Sequence, residues 1–129
     1  MRWLRFLTVS VLFLTTTAFA ADPEPITPAE AAKKVDEKVV VEMEVKSSGG
    51  NRNQYLNSET DYQGEKNFTI FISKDHIERF KKAGIESPAT HYLKKVIRVS
   101  GTVVLEQKKP RIVVTEPKQI TIVEKEKKS

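Results

Sequence analysis

Residues 39–46 alternate between apolar and polar side chains, and this alternation constrains the fold more than any other feature of the sequence. Val39, Val41, Met43 and Val45 fall on one side of an extended segment. The other side carries Val40, Glu42, Glu44 and Lys46. A period of two predicts a strand with one buried face and one solvated face. Four further strands are predicted in segments rich in apolar and β-branched residues, at 54–57, 67–72, 95–105 and 111–115, the last continuing at 119–123 beyond a break at Glu116 and Pro117.

Two short helices are predicted, one before the first strand and one between the third and fourth. Thr27 can cap a helix that ends near residue 34, and Glu30 stands where its carboxylate can complete a capping box. Ser73 can cap the second helix, which Gly84 ends. Turns and loops are predicted in the polar segments between these elements, at 47–53, 58–66, 87–88 and 107–110.

Gly101 lies inside the longest predicted strand, in phase with Ile97, Val99, Val103 and Leu105 on its apolar face. A glycine within a strand often marks a bulge or a sharp bend at the corner of a barrel. We therefore expect the strand to bend at Gly101.

The first twenty residues have the three-part pattern of a secretory signal peptide. Arg2 and Arg5 precede an apolar run at 6–14, and Ala18 and Ala20 are the small residues ahead of a cleavage site after Ala20. The run is too short for the roughly 20 residues of a membrane-crossing helix, which favours cleavage over an uncleaved anchor. We expect an exported protein, periplasmic or secreted, with no membrane span once the signal is removed. The remaining chain is expected to comprise a loose segment at 21–25, one domain at 26–124 and a frayed charged tail at 125–129.

Charge balance and the lack of cysteine exclude several classes of function. The 129 residues hold 22 Lys or Arg and 17 Asp or Glu, a net charge of +5 that falls to +3 without the first twenty residues. A basic balance attracts nucleic acid, but +3 is modest for that task. Without cysteine there is no disulfide framework, thiolate zinc site, iron–sulfur cluster or cysteine nucleophile. Packing and strand pairing alone must hold one small core, which favours a closed sheet.

The order of the elements predicts an all-β fold. Three strands, a short helix and two further strands, the fourth bent at a glycine, follow the order of the five-stranded Greek-key barrel called the OB-fold, here with an additional short N-terminal helix. The predicted strands, and above all the ending Arg-Ile-Val-Val-Thr-Glu-Pro-Lys-Gln-Ile at 111–120, resemble small exported bacterial OB-fold proteins and the OB modules found beside secreted nucleases. The resemblance covers residues 26–124 and implies a domain of the nucleic-acid-binding type.

The titratable side chains form no recognised catalytic or metal-binding pattern. Glu42 and Glu44 share a strand face without the flanking pattern of a calcium loop, and His76 and His91 lack a third ligand at a zinc-site spacing. The resemblance carries over no catalytic residue, and similar sequences tend to have glycine where this chain has Asp36. We therefore expect no enzyme activity, no metal and no cofactor.

OB-folds that bind single strands combine a basic groove with aromatic side chains on which bases stack. Phe71 alternates off the core face, where it is either a stacking platform or packed beneath the helix at 27–34. The other aromatic candidates are either platforms or core plugs, and the basic candidates are either ligand contacts or solvated surface. The full set of candidate binding residues is Tyr55, Tyr62, Phe71, Lys46, Arg52, Lys66 and Arg98.

Together these features predict a monomeric, exported binding module whose barrel face takes single-stranded nucleic acid or another extended polymer such as an oligosaccharide. In that case Phe71 is exposed beside Arg98 or Lys46. The alternative is a non-catalytic protein-interaction or structural domain of the cell envelope, with Phe71 buried and an apolar patch exposed elsewhere. A nuclease on the same barrel would need clustered acids around a metal.

Overall fold

A computed structural model describes residues 23–123, which form a curled sheet of seven strands with a few short helices. The predicted signal peptide and the tail at 125–129 lie outside the described residues. The strands are β1 (Lys38–Glu44), β2 (Ser47–Gly49), β3 (Gln54–Asn57), β4 (Thr69–Ile72), β5 (Val96–Glu106), β6 (Lys109–Val114) and β7 (Ile120–Ile122). The α-helices are α1 (Pro28–Ala31), α2 (Ile77–Lys82) and α3 (Pro88–His91), with 3₁₀ turns at Lys74–His76 and Pro117–Gln119.

The sheet curls because β1 and β2, which are nearly continuous in the chain, lie at the two ends of the strand order. The strand order is β1, β5, β6, β4, β3, β2, and β7 adds to β5. Only two residues separate β1 from β2: the Val45 N–H donates to the carbonyl of Lys95 at 2.9 Å, and the Lys46 N–H donates to that of Asn57 at 3.0 Å. Neighbouring strands are antiparallel except β4 and β6, which are parallel. This all-β architecture is consistent with an OB-like fold.

The core lies inside the curl, and the alternation along each strand supplies it. The residues predicted to face inward in the segments 39–46, 68–72 and 97–103 are buried, and Phe80 of α2 closes the core. The largest fully buried side chains are Phe68, Phe80, Leu56, Ile70, Ile72, Ile97, Ile112, Val41, Val45, Val99, Val103 and Val114. Deletion of such side chains costs on the order of 2–5 kcal/mol each, so this alternation fixes which face of every strand remains outside.

Gly101 lies where β5 exchanges one neighbour for another. The strand pairs with β1 up to Thr102 and with β6 from Val103 onward. A Cβ atom at position 101 would lie 2.5 Å from Cγ2 of Ile112, a distance that real side chains do not tolerate. The glycine is therefore required by the close approach of Ile112, at the place where the sequence predicts a bend.

Three local predictions are wrong. Ser47–Gly49 is a strand rather than part of a turn, because its backbone pairs with residues 55–57 of β3. Pro88–His91 is a helix rather than loop, with a proline in its first turn. Leu105 is 52% exposed although it is in phase with the core, because it lies in the β5–β6 hairpin beyond the buried residues of β5.

The predicted helix starts are confirmed. Thr27 accepts a hydrogen bond from the Glu30 N–H at 3.2 Å, and the Glu30 carboxylate completes the capping box. Ser73 caps the turn that leads into α2, and Gly84 follows that helix with a φ of 87°. Between residues 23 and 123 no helix is both long and apolar enough to cross a membrane.

Candidate functional site

A groove of about 500 Å³ runs along the outer face of the sheet. Its walls are β2 and the turn after it, the outer faces of β3 and β4, and the hairpin that joins β5 to β6. Tyr62, from the long loop between β3 and β4, closes one side and is 61% exposed. The groove is thus built from three separate connections and the strands between them.

Alternation and register decide which side chains face the groove. Leu56 of β3, Ile70 of β4 and Ile112 of β6 are aligned and buried, so their neighbours along each strand point outward. Two rows of outward residues cross the sheet. One row is Gly49, Tyr55, Phe71 and Val113, and the other is Ser47, Asn57, Thr69 and Arg111.

Tyr55, Phe71 and Arg111 form a contiguous cluster across three strands. The Tyr55 and Phe71 ring centroids are 5.3 Å apart with an interplanar angle of 48°, and the Arg111 guanidinium carbon is 4.8 Å from the Phe71 centroid. Tyr55 and Arg111 line the groove, whereas Phe71 does not. Because Phe71 is half-buried between these two neighbours, it supports them rather than offering a free face. The sequence left open that Phe71 packs beneath the N-terminal helix. Helix α1 packs on β1 instead, so it does not cover Phe71.

Polar side chains form the floor beside this cluster. The Thr69 hydroxyl donates to Oδ1 of Asn57 at 3.0 Å, and Nδ2 of Asn67 lies 3.3 Å from the same oxygen. Asn57 and Thr69 both line the groove, although Asn57 is only 6% exposed. The floor is therefore hydrogen-bonded and held in one arrangement.

The charge in the groove is mainly positive. Lys109 and Arg111 line it on one side together with Glu106. Within residues 23–123, Arg111 and Arg52 form no ion pair, whereas Arg79 and Arg98 each have a carboxylate partner, and of these four arginines only Arg111 lines the groove. Arg111 therefore keeps its charge available to an anionic ligand.

The sequence-predicted candidates are not all at one site. Tyr55 and Tyr62 lie in the groove. Lys46 pairs with Glu59 at 3.5 Å, and with Lys66 it lines a second depression of about 600 Å³ between α1 and the long loop. The remaining two are Arg52, exposed in the turn between β2 and β3, and Arg98, paired with Glu42 at 2.8 Å on the β1–β5 side.

The expectation that Phe71 stands beside Arg98 or Lys46 is wrong, because the cation over its ring is Arg111. Sequence reasoning missed Arg111 as a site residue. The signal was present: Ile112 and Val114 are apolar and in phase, so Arg111 and Val113 had to face outward. What the sequence did not show is the parallel pairing of β6 with β4, which places Arg111 near Phe71.

Two titratable groups away from the groove have shifted pKa values. Burial raises the pKa of Tyr92, and burial together with the nearby Lys95 lowers the pKa of His91. Their rings meet edge to face with centroids 4.7 Å apart, which indicates a packing role. Across residues 23–123, no three His, Cys, Asp or Glu side chains are grouped so that they could hold a metal ion.

Comparison with known proteins supports the fold alone. No protein-family model matches this chain, and no curated protein does. Among solved structures, the chain is similar to OBody AM3L15 bound to hen egg-white lysozyme, with a TM-score of 0.53 and 19% identity over 81% of this chain and 98% of that one. It is also similar to a putative aspartyl-tRNA synthetase from Leishmania major Friedlin, with a TM-score of 0.50 and 12% identity.

That second match covers 84% of this chain but only 22% of the synthetase, so the chain spans about a fifth of that enzyme's length. An asparaginyl-tRNA synthetase from Pyrococcus horikoshii matches with a TM-score of 0.46 and 15% identity, over 71% of this chain and 21% of that one. At these identities the likeness concerns the backbone fold.

Proposed function

We propose that the outer groove binds single-stranded nucleic acid and that the protein is a binding module rather than an enzyme. The observation that carries this proposal is that Tyr55 and Arg111, which contact Phe71 from either side, line the same groove. An aromatic ring takes a stacked base, and an unpaired guanidinium takes a phosphate or stacks on a base itself. A volume of about 500 Å³ is within the usual range for ligand sites.

The position of the groove supports the same proposal. Counting β1 and β2 as one strand and setting β7 aside, we propose that β1–β2, β3, β4, β5 and β6 correspond in order to the five strands of an OB-fold. OB-folds bind oligonucleotides and oligosaccharides on the face of strands 2 and 3 and the loops that join strands 1 to 2 and 4 to 5. The groove is lined by those same elements. One similar solved structure is of a putative aspartyl-tRNA synthetase, an enzyme named for the nucleic acid tRNA.

We also propose that the protein acts outside the cytoplasm after removal of residues 1–20. Arg2, Arg5, the apolar run at 6–14 and the small residues at 18 and 20 support this part of the proposal. N-terminal sequencing of the protein recovered from the exported fraction should begin at Ala21. A chain recovered only from the cytoplasm with Met1 in place would contradict it.

The nucleic-acid proposal is tested by titrating the purified protein into fluorescently labelled oligothymidylate at low salt. Saturable binding is expected, and it should weaken as salt is added because each phosphate contact releases counterions. Double-stranded DNA of the same length is the matched control, since its bases cannot stack on Tyr55. Absence of binding to single strands at low salt would contradict the proposed function.

A protein partner is the second candidate, because one similar solved structure is of an OBody bound to lysozyme. The apolar side chains Tyr62, Leu105 and Val113, exposed at or near the groove, favour it. Capture of one stable protein partner from the exported fraction, together with failure of the oligonucleotide titration, would favour this candidate. An oligosaccharide remains the polymer alternative and is tested by the same titration with a labelled sugar oligomer.

A further inference from the structure

We infer that Asn57 selects the ligand: its amide presents only N–H donors to the groove, so the site takes a base that offers a carbonyl acceptor, as thymine and uracil do. This inference rests on the proposed function of the groove and names the class of base that it takes. Three steps of geometry lead to it.

The first step is the orientation of the neighbouring Asn67, which the backbone fixes from both sides. Its Oδ1 accepts the Glu59 N–H at 3.2 Å, and its Nδ2 donates to the Tyr62 carbonyl at 3.1 Å. A backbone N–H can only donate and a carbonyl can only accept, so the reversed amide would lose both bonds. Asn67 therefore directs its N–H donors at the groove floor.

The second step is that the orientation of the Asn67 amide determines the orientation of the Asn57 amide. Nδ2 of Asn67 lies 3.1 Å from the Thr69 hydroxyl oxygen, which then donates its own hydrogen to Oδ1 of Asn57 at 3.0 Å. Nδ2 of Asn67 also lies 3.3 Å from that Oδ1. One Asn67 hydrogen goes to the Tyr62 carbonyl and the other is shared between Thr69 and Asn57. Because the Thr69 hydroxyl donates here and an Asn57 nitrogen would face the Asn67 donor, this position of the Asn57 amide must be the oxygen.

The third step is what remains of the Asn57 amide. Its Nδ2 donates to no partner in the part of the chain that the structure describes, and the side chain lines the groove although it is only 6% exposed. The Nδ2 atom still touches solvent in the groove, so a ligand that covers it must supply an acceptor or leave a buried donor unpaired, which is costly. The Asn57 Nδ2 therefore raises the affinity for a ligand that places an oxygen beside it and lowers the affinity for one that places an amino group there.

The spacing along β3 lets a stacked base reach this donor. Tyr55 and Asn57 are two residues apart on the same face, a rise of about 7 Å, which is close to the width of a pyrimidine ring plus one hydrogen bond. Thymine and uracil carry a carbonyl on each side of the ring N–H, so either orientation on Tyr55 brings an oxygen toward Asn57. Cytosine and adenine carry an amino group at one of these places.

The test compares oligothymidylate with the same oligomer in which difluorotoluene replaces every thymine. This ring keeps the shape of thymine and can stack but has very weak acceptors. The wild-type protein should bind oligothymidylate about tenfold more tightly than the analogue, since the analogue leaves a buried donor unmet. Equal binding of the two ligands would overturn the inference and leave the proposed function intact, whereas binding of neither would overturn the proposed function.

The matched variants are Asn57→Asp and Asn51→Asp. Asn57→Asp has the same shape, keeps the oxygen that Thr69 and Asn67 contact, and replaces the donor with an acceptor. Each variant adds one negative charge, and that effect cancels in the ratio of the two affinities. The tenfold ratio should fall to about one in Asn57→Asp and persist in Asn51→Asp, which lies exposed in the turn before β3. A ratio that persists in Asn57→Asp would overturn the assignment to Asn57.

Discussion

The Arg111 guanidinium lies 4.8 Å from the centre of the Phe71 ring, on a strand that runs parallel to the one carrying Phe71. This contact joins β4 to β6 across the outer face of the sheet and leaves Arg111 and Tyr55, rather than Phe71, open to the groove. A cation over an aromatic ring contributes about 0.5–1 kcal/mol at an exposed site. Its larger consequence is that the guanidinium is held over the Phe71 ring, in the groove that Tyr55 also lines.

Substitution Tyr55→Ala should weaken binding of oligothymidylate, because it removes the ring that lines the groove. Loss of one stacked base costs ~1–3 kcal/mol, so a reduction of about tenfold or more in affinity is expected. Tyr55→Phe keeps the ring and should bind within about twofold of the wild type. Affinities from fluorescence anisotropy check this, with a thermal melt of each variant to confirm folding. Equal losses in both variants would show that the hydroxyl, not the ring, matters.

The longer strands were predictable because each has its own alternation. Residues 39–46 and 95–105 are long enough for the period of two to identify the buried face without any tertiary information. Ser47–Gly49 was not predictable in this way, since serine and glycine favour turns and its extended backbone depends on pairing with β3. Short segments take their conformation from neighbours that are distant in sequence.

The candidate site was only partly predictable for a related reason. Phe71 could be placed off the core face because the alternation of residues 68–72 is clear, whereas the sequence allowed Tyr55 to be either a platform or a core plug. Arg111 belongs to the same face only through a parallel pairing, and Asn57 gains its role only through the hydrogen bonds of Asn67 and Thr69. Register and side-chain polarity of this kind are properties of the folded chain.

Substitution Gly101→Ala should destabilise the protein by ~1–3 kcal/mol, the usual cost of forcing an additional methyl group into a packed core. The new Cβ would lie 2.5 Å from Cγ2 of Ile112. Gly49→Ala is the matched control, because nothing lies within 4 Å of a Cβ there. The midpoints of urea denaturation measure both changes. If the steric account is right, Ile112→Val does not rescue Gly101→Ala, since valine retains Cγ2, whereas Ile112→Ala relieves the clash and leaves only its own cavity cost.

Asp36 adopts a φ of 68°, in the left-handed region that favours glycine. Its N–H donates to the Val103 carbonyl at 2.7 Å, which holds the turn against β5. Asp36→Gly should change the stability by less than about 1 kcal/mol, because relief of backbone strain is offset by the greater freedom of glycine in the unfolded chain. Asp36→Val should destabilise by ~1–2 kcal/mol. Equal stability of the valine variant, measured by thermal denaturation, would contradict the strained conformation.

The raised pKa of Tyr92 predicts a loss of stability in alkali. Above pH 10 the tyrosine ionises in the unfolded chain while the folded protein keeps it neutral, so the unfolded state binds fewer protons and becomes relatively more stable. As the pH is raised from about 9 to about 11, through the ordinary pKa of tyrosine, the urea concentration at the denaturation midpoint should decrease. The decrease should be smaller in Tyr92→Phe. Parallel curves for the two proteins would mean that other groups cause the loss.

The most direct test of the central claim, that the outer groove is the nucleic-acid site, compares Arg111→Gln with Arg98→Gln in the oligothymidylate titration. Both substitutions remove one strand arginine, but Arg111 lines the groove and Arg98 is paired with Glu42 on the β1–β5 side. Arg111→Gln should lower the affinity about tenfold at low salt and make the dependence of log affinity on log salt shallower by about 0.7, and Arg98→Gln should change neither. A loss of affinity in Arg98→Gln with none in Arg111→Gln would contradict the claim and assign the ligand to the exposed surface of β1 and β5.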